Sequence, residues 1–224
     1  MELKNPLYNN IGIHVNICLF TVIKGVTRVL LVKRKNEPFY GLWALPGGAM
    51  YNNETIMNAA KRELAEKTGI VNDNLFFYDY FDNINRSPLK RMIAFGFIGI
   101  IDAKTVTVLK DTLKTCDAGW FDIKDMPTMA YDHNEIFDRA TLELKKRIVK
   151  TNILKGFFPY EFTLPELQGV CETILERKLD RRNFRKKMIT SNIIRDINEQ
   201  AIFRGTKPAK VYKFNDNIEE KNII

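Results

Sequence analysis

Gly48, Glu54, Glu63 and Glu66 stand at intervals that could do chemistry. Five residues separate Gly48 from Glu54, and seven more lead to Arg62-Glu63-Leu64-Ala65-Glu66, with Gly69-Ile70 closing the segment. On a helix, Glu63 and Glu66 are three residues apart and share a face, so their carboxylates can converge on one hard cation while Glu54 adds an oxygen. A divalent cation held there, Mg for example, would in turn hold a diphosphate. The Gly47-Gly48 pair lets the backbone come close, and a bound metal can neutralise phosphate charge and activate water. The chemistry this arrangement predicts is hydrolysis of a nucleoside diphosphate derivative. The plain alternative for such residues is a solvated, charged helix face.

A second cluster is cationic. From Asp180 the chain reads Arg181-Arg182-Asn183-Phe184-Arg185-Lys186-Lys187-Met188-Ile189, with five cations and an Asn on the polar side and Phe184, Met188 and Ile189 for a core. As the second helix of a helix-turn-helix it could enter a major groove, where Arg reads guanine edges, Asn reads adenine and Lys fixes register on phosphates. Arg181, Arg182, Asn183, Arg185 and Lys186 are the candidate DNA contacts, and Lys207 and Lys210 could add backbone contacts from a wing. Alone, a basic helix is better read as a solvated amphipathic surface, and it is the surrounding elements that favour DNA contact.

The elements that would position these groups can be read from periodicity. Ile11 to Ile23 and Thr27 to Lys33 are β-rich runs flanking Lys24-Gly25-Val26, which predicts a hairpin. After a Pro46-Gly47-Gly48 turn, Ile56, Ala59, Ala60 and Leu64 give Thr55 to Lys67 helical spacing, with Gly69 as its stop. Leu75 to Phe81, Met92 to Ile101 and Gly119 to Ile123 read as strands; Ile136, Ala140, Leu144 and Ile148 space out a second helix. Past an aromatic connector, Phe157 to Phe162, Thr163-Leu164-Pro165-Glu166 opens a helix as a capping box, and Asp180 caps the next. Ile193 to Ile197 and Ala209 to Phe214 then predict two strands around a polar loop, completing a winged helix-turn-helix.

With 224 residues, 45% hydrophobic and 28% charged, the chain can bury a core and form one large or two modest domains. Twelve Gly and eight Pro without a biased tract exclude collagen-like and wholly disordered classes. The longest apolar run, Met92 to Ile101, is too short to span a bilayer, and the N-terminal residues lack the pattern of a secretory signal, so a cytoplasmic protein is expected. Cys18, Cys116 and Cys171 are far apart and support neither a disulfide framework nor a zinc site; they are expected to be reduced packing residues. A net charge of +8 favours polyanionic partners such as nucleotides or nucleic acid.

The segment from Gly48 to Ile70, led in by Ala44-Leu45-Pro46-Gly47, resembles the Nudix box, G-x5-E-x7-R-E-U-x-E-E-x-G-U with U aliphatic. The resemblance implies an α/β/α Nudix sandwich, with Glu63 and Glu66 as metal ligands or catalytic bases and Glu54 and Arg62 supporting them, Glu54 as a third candidate ligand. One position departs. Where the family has a second adjacent metal-binding Glu, this chain has Lys67, which turns a nominal charge of −4 into −2. At an effective dielectric of about 20 and a separation of about 5 Å, each unit is of order 3 kcal/mol before screening. A weakened or absent Mg site, with weak or absent hydrolysis, is therefore expected.

The likeness extends further. The box, Trp120-Phe121-Asp122, Asp132-His133-Asn134-Glu135-Ile136, Phe162 to Gln168 and Leu179 to Lys187 together resemble the Nudix-related transcriptional regulators, in which a Nudix-like effector domain precedes a winged helix. That family implies a dimeric repressor of operator DNA whose effector is an ADP-ribose-like nucleotide of NAD metabolism or a sugar-derived or sugar-phosphate compound. Relatives commonly carry an Asp-Arg-Asp-Pro-x-x-Arg-like segment; here it reads Asn85-Arg86-Ser87-Pro88-Leu89-Lys90-Arg91, keeping Arg86 and Arg91 and losing a carboxylate at Ser87. Arg86, Arg91 and Arg34, with Gly47 and Gly48, are the candidate effector contacts. His14 and His133, as lone histidines, are expected to be structural, and Trp43 and Trp120 to be packing residues.

The expectation is thus a mixed α/β chain: a Nudix α/β/α sandwich over residues 1–155, then an α+β winged helix-turn-helix over 156–224. Its expected function is ligand-controlled DNA binding. A Mg-dependent Nudix hydrolase with an accessory domain is the competing function, and a protein-binding adaptor a third.

Overall fold

The computed structural model describes residues 11–202 and 208–215. Among the described residues two compact units are present, one comprising residues 11–20, Arg28–Gly99 and Val106–Thr141, the other Thr21–Thr27, Ile100–Thr105 and the described residues from Leu142.

The first unit is built on a seven-stranded sheet. β1 (Gly12–Ile23) and β2 (Val26–Arg34) form the predicted hairpin. Lys24 and Gly25 both take positive φ, 51° and 76°, a turn whose twist matches that of the flanking strands. Every residue from Val15 to Phe20 on β1 is buried. Because side chains alternate across a pleat, this means that both faces of the strand are covered. β3 (Trp43–Ala44) pairs with β2, and β4 (Gly47–Ala49) pairs with β1 through Val15↔Gly48 and Asn16↔Gly47.

The sequence places a turn at Pro46-Gly47-Gly48, whereas Gly47 and Gly48 belong to a strand. A Cβ on Gly47 would collide with the Val15 carbonyl, so the missing side chain serves strand pairing at close range. α1 (Ile56–Thr68) is the predicted carboxylate helix: Thr55 accepts from the Asn58 amide at 3.2 Å, and Gly69 ends it with φ 72°. β5 (Leu75–Phe81), β6 (Met92–Ile100) and β7 (Thr115–Asp122) complete the sheet, whose main path is β3-β2-β1-β6-β5 with β7 on β2. β7 begins four residues before the predicted strand, because its polar Thr115-Cys116-Asp117 start is fixed by pairing with Lys33 and Arg34 rather than by strand propensity.

α2 (His133–Arg147) buries the anticipated stripe of Ile136, Ala140 and Leu144. On its first-unit side the Phe137 ring lies 6.4 Å from that of Phe20, and the Tyr78 hydroxyl donates to the Ile136 carbonyl at 2.8 Å. The short helix α3 (Thr151–Leu154) follows, and a 3-10 turn at Lys155–Phe157 lies in the aromatic connector.

The C-terminal unit holds β8 (Phe162–Thr163), α4 (Leu164–Leu175), α5 (Arg181–Thr190), β9 (Ile194–Ala201) and β10 (Ala209–Phe214). The predicted capping box is formed: Thr163 accepts from the Glu166 amide, and the Glu166 carboxylate accepts from the Thr163 amide at 2.7 Å. Two strands were expected here and three are found, in the order β8-β10-β9. β8 is only two residues long, too short for any periodicity to announce it, and exists because Phe162 and Thr163 pair with Tyr212 and Val211. Phe184 and Met188 of α5 are buried as expected, but Ile189 is 47% exposed, since it falls outside the stripe those two residues define.

Candidate functional site

The carboxylates of the sequence pattern do come together, around cations. Arg62 donates to Glu54 through Nε at 2.9 Å and Nη2 at 2.7 Å, a bidentate pair, and its Nη1 reaches Glu63 at 2.6 Å and Glu66 at 3.3 Å. Nη2 also donates to the Ala49 carbonyl at 2.8 Å, and the guanidinium lies 3.8 Å from the Tyr51 ring centroid. Lys114 donates to Glu66 at 2.6 Å and to Glu63 at 3.4 Å. Lys67 donates to the Gly47 carbonyl, and its ammonium lies 3.6 Å from Glu63 Oε2. Gly48 leaves the space that the Glu63 carboxyl group fills, since a Cβ there would sit 2.5 Å from it.

The electrostatics follow from these contacts. The Lys114 bond holds the Glu66 carboxyl below its usual range, and Arg62 does the same for Glu54. Burial lowers the pKa of Lys67, against the pull of Glu63; at Lys114 burial acts in the same sense, but its bonds to Glu66 and the charge of Glu63 prevail and raise it. Three carboxylates thus meet three side-chain cations, so the cluster is nominally neutral rather than the −2 counted from Lys67 alone.

This donor set does not fit a divalent cation. Oxygen ligands with spare lone pairs are what such an ion requires. Here the Gly47 carbonyl takes the Lys67 ammonium, Glu54 is chelated by Arg62, Glu66 is held by Lys114, and the carboxylate oxygen left without a hydrogen bond, Glu63 Oε2, already faces the Lys67 ammonium at 3.6 Å. Among the described residues no group of three His, Cys, Asp or Glu is placed to hold a metal ion.

Beside this cluster opens a cleft of about 180 Å³, lined by five cationic side chains, Arg34, Lys35, Lys67, Arg86 and Lys114, and by no carboxylate. Gly47, Gly48, His14 and His133 also line it. Of the predicted effector contacts, Arg34, Arg86, Gly47 and Gly48 therefore converge. Arg34 is anchored through Nε to the Pro38 carbonyl at 3.0 Å and lies 5.1 Å from the Tyr131 ring. Arg86 is buried and forms a bidentate pair with Asp132, Nε to Oδ2 at 2.9 Å and Nη2 to Oδ1 at 2.8 Å. Arg91 lies outside the cleft lining; its Nη1 donates to the carbonyls of Asp82 and Asn83 at 2.6 and 3.2 Å and so secures the preceding loop.

His133 accepts a 3.0 Å hydrogen bond from the Leu45 amide at Nδ1, with the Asn16 side-chain amide 3.0 Å from Nε2. A ring accepting at Nδ1 carries its proton at Nε2 when neutral, so the Asn16 oxygen belongs opposite Nε2. Burial, reinforced by Arg86, Lys67 and Arg34, pushes the His133 pKa well below its usual value, so the ring stays neutral and structural. Trp43 packs edge-on against Phe121 at 4.6 Å. Lys114, Lys35 and Tyr131 are among the lining residues that the sequence did not single out, and nothing local distinguishes them.

The candidate nucleic-acid surface lies in the C-terminal unit. α4 and α5 are joined by a turn through Glu176, whose φ is 53°. Glu172 fixes that turn by accepting from the Leu179 amide at 2.9 Å, and Gln168 donates to the Leu179 carbonyl at 3.0 Å. Asp180 caps α5, accepting from the Asn183 amide at 2.8 Å. Arg181, Arg182, Asn183, Arg185, Lys186 and Lys187 are all exposed. Among the described residues none of those five cations is held in an ion pair. Lys210 on β10 is exposed and paired with Asp196 at 2.6 Å, and Lys207 lies outside the described residues.

Cleft and basic helix together define a class of protein: an α/β/α domain with an anion-suited cleft, followed on the same chain by a winged helix with an exposed cationic face. Residues 12–140 match the NUDIX domain and residues 156–214 the NrtR DNA-binding winged helix domain. The chain belongs to the Nudix family, and carries the NrtR type of winged helix at its C-terminal end. It is 29% identical over 204 residues to the ADPR responsive transcriptional repressor NtrR of Acinetobacter baylyi, covering 89% of this chain and 80% of that one. It is also similar to the crystal structure of Shewanella oneidensis NrtR complexed with a 27mer DNA, at a TM-score of 0.78 and 26% identity, covering 91% of this chain and 93% of that one. The NUDIX domain of the same Shewanella protein, complexed with ADP ribose, matches at a TM-score of 0.57 and 27% identity over 63% of this chain and 94% of that one. No helix among the described residues is long and apolar enough to cross a membrane.

Proposed function

We propose that this chain is an ADP-ribose-responsive transcriptional repressor. In this reading the cationic cleft takes the diphosphate of the effector, with Arg34, Arg86, Gly47 and Gly48 among its contacts, and α5 enters the major groove of a palindromic operator. The observation that carries it is the union, on one chain, of a carboxylate-free cationic cleft with a winged helix of the NrtR type whose α5 cations are exposed and, among the described residues, held in no ion pair. The protein acts as a cytoplasmic homodimer, and the boundary between effector and DNA-binding domains falls at residue 155. Effector control requires only that the ligand favour one arrangement of the paired DNA-binding domains, and a coupling of about 1–3 kcal/mol suffices.

The test is an operator-binding titration with and without ADP-ribose. Addition of ADP-ribose should shift operator affinity by about five- to a hundredfold. Arg182→Ala should relax base preference, whereas Lys186→Ala should weaken all sequences alike and flatten the salt slope. An operator affinity indifferent to ADP-ribose, or equal and negligible effects of both substitutions, would refute the reading. Robust Mg-dependent turnover of ADP-ribose, abolished by Glu63→Gln, would favour the hydrolase instead.

A further inference from the structure

We propose that Lys67 and Lys114 are fixed internal cations standing in for the divalent metal of a Nudix box, so that the cleft binds a diphosphate directly and without metal. The inference rests on the effector reading above for the identity of the ligand, but its physical content concerns only the diphosphate group.

Three observations carry it. The Lys67 ammonium lies between a backbone carbonyl, that of Gly47, and a buried carboxylate oxygen, Glu63 Oε2, which has no hydrogen-bond partner. A pair of oxygens of that kind suits a hard cation, and here the cation is covalently attached to the chain. Next, Lys114 and Arg62 neutralise Glu54, Glu66 and the other oxygen of Glu63, so no net negative charge remains to recruit a free metal ion. Finally, both lysines line the cleft. An ammonium has three donors and no acceptor. Lys67 uses one donor on the Gly47 carbonyl and faces Glu63 Oε2 at ion-pair distance, and Lys114 uses two on Glu66 and Glu63, which leaves each with at least one for a ligand oxygen.

A metal would bridge carboxylates to phosphate by sharing its own coordination shell. The lysines do the same through charge-assisted hydrogen bonds, with Glu63 and Glu66 acting as positioning residues that aim the ammonium groups. The substitution of Lys67 for an acidic residue thereby exchanges metal-dependent binding for metal-independent binding.

The experiment is calorimetric titration of the full chain with ADP-ribose and, separately, with inorganic pyrophosphate, in EDTA and in millimolar MgCl2. Wild-type Kd should agree between the two buffers within about twofold, and Lys67→Gln and Lys114→Gln should each weaken binding about tenfold or more in both. Lys67→Glu should lose affinity in EDTA and regain it with Mg. Wild-type binding that requires Mg, unchanged Kd in both glutamine variants, or a Lys67→Glu protein that binds in EDTA as wild type does would overturn the proposal. Lys114 is half-exposed, so its variant decides the matter even where a change at Lys67 unfolds the domain. Metal-free pyrophosphate binding without ADP-ribose binding would sink the effector reading and leave this inference standing; failure of both ligands in EDTA would sink this one.

Discussion

Asp132→Asn is expected to destabilise the N-terminal unit sharply, and the structure gives the size of the effect. Asp132 holds Arg86 through two hydrogen bonds of 2.8 and 2.9 Å, and the Arg86 side chain is only 3% exposed. Arg34, Lys67 and Lys114 line the same cleft, so the freed guanidinium would meet like charges rather than a new partner. Removing one member of a buried ion pair costs about 3–5 kcal/mol, and the 14% exposure of the Asp132 side chain puts this case near the lower end, about 3 kcal/mol. With a urea m-value of about 2 kcal/mol per molar, the midpoint should fall by about 1.5 M. Both tryptophans, Trp43 and Trp120, lie in this unit, so intrinsic fluorescence reports its unfolding apart from that of the winged helix. Asp132→Asn combined with Arg86→Gln should recover to within about 1 kcal/mol of wild type, because no unpaired charge is left behind. Saturating pyrophosphate should raise the midpoint of the single variant more than that of wild type, since the free guanidinium gains an anion. A single variant as stable as wild type, or a double variant as weak as the sum of its parts, would refute the reasoning.

Gly48→Ala should cost about 1–3 kcal/mol, read as a lower melting temperature, because its Cβ would press on a Glu63 carboxyl group that Arg62 and Lys67 hold in place. Stability should also fall on acidification. Burial, then Arg86, Lys67 and Lys90, lower His14 to about 4 against an opposing pull from Glu63, and burial with Arg86 holds His133 well below its usual value. Both folded-state values lie below the unfolded value of about 6.5, so the unfolded chain binds more protons and stability is full above that pH and lost beneath it. Each histidine contributes a slope of up to about 1.4 kcal/mol per pH unit, with the His14 contribution levelling off near pH 4; denaturation midpoints that stay constant from neutral pH to 5 would contradict this. Ellman titration of the native protein should count one fast thiol, Cys116, and three after denaturation, since burial both shields Cys18 and Cys171 and pushes their thiols up.

The local features were legible in the sequence and the distant pairings were not. α1 could be read with its cap and stop, because helical spacing, Thr55 and Gly69 all lie within one short window. The capping box at Thr163 and the cap at Asp180 were legible for the same reason. Lys67 could be read from its identity alone as a cation among the carboxylates, but the neutral cluster needed Lys114, which arrives from 48 residues beyond Glu66 and carries no local signal. Arg86 was recognised as a candidate, while its partner Asp132, 46 residues on, was not. The Gly47-Gly48 pair was read as a turn that lets the backbone come close, whereas it is a strand in which the missing side chains admit β1 on one side and the Glu63 carboxyl on the other. Arg91 was placed with the effector contacts by family pattern; it lies outside the cleft lining, and its Nη1 donates to carbonyls of its own loop.

Thr163 belongs to two elements at once. It pairs with Val211 in the sheet and caps α4 with its hydroxyl, while its neighbour Phe162 stacks 4.8 Å from Phe214. The wing and the first helix of the DNA-reading module are therefore riveted together at a single residue. A regulatory signal reaching this module has no compliant joint there to bend. It must tilt or translate ribbon and helix as one block, so in the dimer proposed above operator affinity should be tuned by the spacing between two such blocks and not by reshaping either.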